Sequence, residues 1–146
     1  MNKSSQKILI TGGTTSLGTA LITRLLTTDV DTIRIFSRDE LKQSQMESDF
    51  NDDRLRFLIG DIRDKDCMKE VLKGIDCVVH LAAIVGAPAC SKNPELAKEI
   101  NYDAVVLLDK LRTREQKIIF ASTGSNYGVV EGICTEETDL NPLSVY

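Results

Sequence analysis

The sequence predicts an α/β fold, a doubly wound parallel sheet in three αβα layers, on three observations. Five short apolar runs rich in Ile, Val, Leu and Phe (KILIT, TIRIFS, LRFLIG, CVVHLA and KIIFAS) recur along the chain, as strands buried on both faces do. Stretches with helical periodicity separate them, and that alternation calls for parallel strands joined by crossover helices. A glycine-rich turn follows the first run. Ligands in such sheets bind beyond the carboxyl ends of the strands, at the switch in strand order, so the informative residues are those that follow the strands.

The first strand is expected at KILIT, residues 7–11. Leu17 to Leu26 follows as a helix, with Leu17, Ala20, Leu21 and Leu25 at helical spacing. After TIRIFS, Leu41 to Phe50 reads as a shorter, polar-rich helix; after LRFLIG, Lys65 to Lys73 reads as another. CVVHLA is the fourth strand, and Asn93 to Arg112 predicts one long helix before the fifth, KIIFAS. The entry to that long helix, NPEL, puts Pro94 in the first turn, where its missing N–H is not needed, and Glu95 toward the positive end of the helix dipole.

With 146 residues, 42% of them hydrophobic, the chain is long enough for one core and too short for two, so a single domain over residues 1–146 is expected. The net charge of −4 comes from interspersed acidic and basic residues, which argues against a nucleic-acid groove or a polybasic membrane patch and for a small-molecule partner. No apolar run approaches the roughly 20 residues of a membrane span, and MNKSSQK before the first strand lacks the apolar region of a signal peptide. A cytoplasmic location is therefore expected. Cys67, Cys77, Cys90 and Cys134 form no CxxC pair, and His80 is the only histidine, so reduced thiols and no metal site are expected. No GxSxG elbow accompanies His80, which sets Ser-His-Asp hydrolysis aside.

Between the first strand and first helix lies TGGTTSLG. Gly12 takes the tight turn without a Cβ penalty, and Gly18 lets the helix pack closely on the sheet. Backbone N–H groups at the helix start would then face a pyrophosphate. The second strand runs out at Ser37 and Arg38. An acidic residue at that place receives the ribose hydroxyls of NAD, whereas a guanidinium offers planar, charge-assisted hydrogen bonds to the 2′-phosphate of NADP. NADP is expected, with Asp39 keeping NAD open.

These residues together resemble the N-terminal portion of an extended short-chain dehydrogenase/reductase, the family of nucleotide-sugar epimerases and dehydratases with a Rossmann fold. TGGTTSLG matches the family's TGxxGxxG turn with Thr15 where the middle glycine is expected, and the resemblance implies Gly12, Thr14, Thr15, Ser16, Leu17 and Gly18 as cofactor-binding. FSRDELKQSQM resembles the NADP-dependent UDP-N-acetylglucosamine dehydratases and supports Ser37 and Arg38 as the 2′-phosphate site. GDIRD is similar to the adenine-contacting segment and implies Asp61 and Ile62. HLAAIVG is similar to the stretch along the phosphates and nicotinamide ribose and implies Leu81, Ala82 and Ala83. Asn101 resembles the family's helix asparagine, without the glycine usual a few residues later.

ASTGSNYG resembles the fifth-strand motif in which a hydroxyl binds the reacting sugar oxygen, here Thr123, and LNPLSVY resembles the segment that introduces the catalytic tyrosine, here Tyr146. Gly124 and Ser125 stand where the dehydratases usually carry Asp-Lys, so the later half reads more like the epimerases. Oxidising a sugar carbinol requires a base for the hydroxyl proton while hydride leaves carbon for the nicotinamide. A phenol with an unperturbed pKa near 10 needs a neighbouring cation for that task. The resemblance supplies a lysine four residues on, past the last residue of the sequence. The expectation is therefore the cofactor-binding part of a longer enzyme, inactive alone, with the C-terminal part of the sheet and the substrate domain missing. A nucleotide-sugar is the implied substrate of the full-length enzyme, and a homodimer is left open. A non-catalytic dinucleotide-binding module, or a fragment that binds nothing, are the other readings.

Overall fold

A computed structural model of the chain describes residues 6–143. Five parallel strands, β1 (Lys7–Thr11), β2 (Thr32–Ser37), β3 (Leu55–Ile59), β4 (Cys77–His80) and β5 (Lys117–Phe120), form one sheet in the order β3-β2-β1-β4-β5. The order reverses between β1 and β4, whose register pairs Ile8 with Cys77 and Thr11 with His80. That juncture is where a doubly wound sheet opens a crevice.

Alternation along each strand sends side chains to opposite faces, and each face has its own core. Ile8, Ile10, Ile33, Ile35 and Val79 pack with Ile22 of helix α1 (Ser16–Leu25) and Met46 of α2 (Glu40–Phe50). Leu9, Phe36 and Val78 pack on the other face with Met68 and Val71 of α3 (Lys65–Leu72) and with Ile100, Ala104 and Leu108. Two arginines close helix ends: Arg34 in β2 donates to the carbonyls of Val71, in the last turn of α3, and of Lys73 just past it, and Arg54 donates to Leu26 and Thr28 beyond α1 while Asp52 holds its guanidinium. The unpaired carbonyls of a helix C-terminus are satisfied in this way.

The expected long helix from Asn93 to Arg112 is interrupted. It consists of α5 (Pro94–Lys98), a π-turn (Glu99–Asp103) and α6 (Ala104–Leu111). A further short helix, α4 (Ala87–Lys92), precedes it with Pro88 in its first turn. β5 departs from the both-faces-buried expectation: Ile119 is 57% and Phe120 49% exposed, because among the described residues β5 pairs only with β4 and lies at the sheet edge. Beyond it, a 3₁₀ turn (Gly124–Tyr127) leads into a segment without regular structure. Among the described residues no helix is long and apolar enough to cross a membrane.

Candidate functional site

Thr11 closes β1, and the backbone turns at once at Gly12, with φ +68. A Cβ there would sit 2.8 Å from the backbone nitrogen of Ala82, so only glycine lets this turn lie against the chain leaving β4. Gly12 also donates its N–H to the carbonyl of Phe36 at 2.9 Å, which ties the turn to the end of β2. Gly18 lies beneath the turn, where a Cβ would meet the carbonyl of Gly13. The close neighbour of this glycine is thus the turn itself, where the sequence suggested close packing of the helix on the sheet.

Thr15, in place of the expected glycine, is the N-cap of α1: its hydroxyl accepts from Gly18 N–H at 3.2 Å and donates to the Gly12 carbonyl at 3.0 Å. One orphan amide of the helix start is thereby used internally.

Two clefts open at the carboxyl ends of the strands, and they share Thr15, Leu81, Ala82 and Ala83 as a common wall. The first, of about 700 Å³, runs over β1, β2 and β3 and is lined by Gly12, Thr14, Phe36, Ser37, Arg38, Lys42, Asp61 and Ile62 among others. The second, of about 910 Å³, runs over β1, β4 and β5 and is lined by Ser16, Leu17, His80, Lys98, Asn101, Tyr102, Phe120 and Thr123 among others. Of the sequence-predicted site residues, Gly18 supports the turn from below, Tyr146 lies outside the described residues, and the rest line one or both clefts.

In the first cleft the Arg38 side chain is 62% exposed and its guanidinium is 3.8 Å from Asp61, an open pairing that leaves it available. Asp61 is held mainly by Arg63, which donates to both carboxylate oxygens and reaches on to Glu99 at 2.8 Å. Those hydrogen bonds outweigh burial and lower the carboxyl pKa below its usual range. Asp39, the acidic alternative, caps α2 by accepting from Lys42 N–H at 3.0 Å and pairs with Lys42 Nζ at 3.3 Å. Its pKa is lowered first of all by that backbone hydrogen bond. Sequence reasoning missed Lys42, Arg63 and Glu99, and nothing in the spacing of the last two signals that they meet.

In the second cleft Asn101 sits inside the π-turn and reaches across to Ile84, with Oδ1 accepting its N–H and Nδ2 donating to its carbonyl, each at 2.8 Å. π-turns recur at functional sites because they re-aim one side chain without ending the helix. Thr123 caps the 3₁₀ turn, its hydroxyl accepting from Ser125 N–H at 3.2 Å and meeting Ser125 Oγ at 2.8 Å. His80, 2% exposed at the end of β4, places Nδ1 2.8 Å from Thr11 Oγ1 and stacks on Phe120 with ring centroids 6.1 Å apart. Burial pushes its pKa down to about 4, so the ring is neutral at pH 7.

A parallel sheet with its order reversing at a glycine turn, and with clefts on either side of that point, defines a Rossmann-type α/β domain. The chain belongs to the polysaccharide biosynthesis protein family, whose model matches residues 8–124, and so to the extended short-chain dehydrogenase/reductases that the motifs resemble. It is 39% identical over 122 residues to a UDP-glucose 4-epimerase from Rickettsia felis, a match covering 80% of this chain and 36% of that one. Among solved structures it is similar to UDP-glucuronic acid 4-epimerase from Bacillus cereus in complex with UDP-glucuronic acid and NAD, with a TM-score of 0.85, 28% identity and 96% of this chain against 47% of that one. A dTDP-glucose 4,6-dehydratase double mutant from Streptomyces venezuelae with NAD and DAU bound gives a TM-score of 0.84, 26% identity and 95% against 46%. The chain thus spans less than half the length of each of these relatives.

Proposed function

We propose that residues 1–146 form the dinucleotide-binding domain of a nucleotide-sugar epimerase or dehydratase, and that its cofactor is NADP in preference to NAD. The observation that carries this reading is that the Gly12 turn and Arg38 line one cleft, so one molecule can present its pyrophosphate to the first and a 2′-phosphate to the second. Two further features support the choice of NADP. Asp39, the residue an NAD ribose would need, is committed to capping α2, while Lys42 adds a second cation on the same wall.

The residues present fit a nicotinamide dinucleotide. The close approach of Gly12 to Ala82 and the common wall of Thr15 and Leu81–Ala83 give a continuous path from Arg38 to Thr123. The Thr15 side chain occupies part of the approach that the expected glycine would leave open. The chemistry such a dinucleotide supplies when bound is reversible hydride acceptance.

The chain's own residues do the rest. In this reading Ser37 and Arg38 hold the adenosine end, Asp61 and Ile62 flank the adenine, and Leu81–Ala83 exclude water along the phosphates and ribose. Asn101 fixes that segment through Ile84. The Thr123 hydroxyl exchanges its bond with Ser125 for one to the sugar oxygen and orients it; Tyr146 takes the proton from that oxygen. Epimerase and dehydratase relatives both appear among the similar structures; Gly124 and Ser125 after Thr123 favour the epimerase outcome.

Fluorescence titration of NADPH and NADH tests the reading. NADPH is expected to bind more tightly, and Arg38→Ala to weaken NADPH by about 10-fold or more, the cost of a hydrogen-bonded charge contact, with NADH unchanged. Equal affinities in the wild-type chain would overturn the choice of NADP. Binding of neither would overturn the cofactor assignment.

A further inference from the structure

Gln43 is 2% exposed on the face of α2 turned to the sheet. Its Nε2 lies 2.8 Å from Ser37 Oγ, 2.9 Å from the Leu58 carbonyl and 3.3 Å from the Ser37 carbonyl. Two of these three partners are carbonyl oxygens, which only accept. The amide must therefore present its nitrogen here, since a flipped amide would set Oε1 against both. The other end of the amide, Oε1, is buried with no hydrogen-bond partner among the described residues, so the orientation is enforced at the cost of an unpaired acceptor.

A consequence follows for Ser37. Its hydroxyl accepts from Gln43, and its one proton is left over for another partner. Ser37 lines the first cleft between Phe36 and Arg38, and among the described residues Gln43 is the partner its Oγ makes. A serine with a free rotor serves a hydroxyl ligand and an anionic ligand alike. In Ser37 one of the two lone pairs is taken from behind, which anchors the hydroxyl and leaves its proton and a single lone pair for the cleft, so donation gains weight over acceptance.

We propose that Gln43 is a positioning residue that fixes the Ser37 hydroxyl as a donor into the cleft and so favours a purely accepting group, the 2′-phosphate of an adenosine nucleotide, over a ribose hydroxyl. The inference rests on the NADP reading above and extends it to a residue behind the wall of the site. A ribose 2′-hydroxyl can donate or accept, so it gains little from the arrangement. A phosphate at neutral pH mainly accepts.

Calorimetric titration of 2′,5′-ADP and 5′-AMP, which differ only in the 2′-phosphate, isolates this effect in the wild-type chain, Gln43→Met, Ser37→Ala and the double variant. Wild type is expected to prefer 2′,5′-ADP. Gln43→Met is expected to lower that preference about three- to tenfold, the span of one modest hydrogen bond, with 5′-AMP affinity unchanged. Ser37→Ala should do the same, and the double variant should lose no more than Ser37→Ala alone. An unaltered preference in Gln43→Met, an equal loss for both nucleotides, or full additivity with Ser37→Ala would overturn the proposal. If Gln43→Met fails to fold in a thermal melt, Ser37→Ala carries the test, and an intact preference there overturns it. No preference in wild type would instead bring down the NADP reading, which separates the two failures.

Discussion

Asn101 grips both backbone polar groups of Ile84, accepting its N–H and donating to its carbonyl at 2.8 Å each. The two residues are 17 apart in sequence, one inside the π-turn and the other just past the wall shared by the clefts. An asparagine is suited to this because its amide carries a donor and an acceptor side by side.

Asn101→Leu keeps the branched side-chain skeleton and removes both bonds. Two part-buried backbone groups then lack partners, at an expected cost of about 2 kcal/mol, read from urea denaturation. Nucleotide affinity should fall as well, because the segment from Leu81 to Ile84 loses its tether. A stability change under about 0.5 kcal/mol would show that the tether is replaced by water at no cost.

Gly12 and Gly74 form an internal comparison. Both have left-handed backbone, φ +68 and +67, but a Cβ at Gly12 would meet Ala82 backbone at 2.8 Å whereas one at Gly74 would meet nothing within 4 Å. Gly74→Ala therefore costs only the conformational penalty, about 1 kcal/mol. Gly12→Ala carries the same penalty plus a clash with backbone that cannot rotate away, and at least about 2 kcal/mol more is expected. Equal denaturation midpoints for the two variants would contradict the close approach of this turn to the β4 exit.

His80 gives the molecule a pH-dependent stability whose sign follows from burial. Its folded-state pKa is depressed to about 4 from 6.5, so the unfolded chain binds a proton that the folded chain refuses. The stability it contributes is present above 6.5 and is lost as pH falls from there toward 4. Between pH 7.5 and pH 5 the loss is about 2 kcal/mol. His80 is the only histidine, and Asp52 titrates near 2 through its hydrogen bonds from Arg54, below this window. Thermal melts across the range should show the decline, and His80→Phe, which keeps a ring against Phe120, should flatten it.

The strands were legible in the sequence because buried parallel strands announce themselves as apolar runs, and β1 and β2 fall where KILIT and TIRIFS place them. The lining of the first cleft was legible where a residue type is dictated by backbone geometry, as at Gly12, or by its place just past a strand, as at Arg38. What escaped depended on tertiary partners. The short helix α4 begins Gly86-Ala87-Pro88, a composition that reads as loop, since proline is tolerated only in the first turn. The π-turn has no composition of its own, and the run from Asn93 to Arg112 keeps an ordinary helical pattern through it. KIIFAS looks like a core strand because its residues favour one, although Phe120 is half exposed. Gln43 is a polar residue in a helix of largely polar composition, and only the carbonyls at the ends of β2 and β3 make its burial sensible.

The strip from Leu81 to Ala83, with Thr15 opposite, borders both clefts. An occupant on one side that shifts this strip changes the wall met by an occupant on the other, and the two are coupled to that extent. Thermodynamic reciprocity then demands that each alter the other's affinity by an identical factor, whichever arrives first. The order of addition in a titration is thus a free choice for the experimenter, and a mismatch between the two orders would betray a reaction instead of an equilibrium.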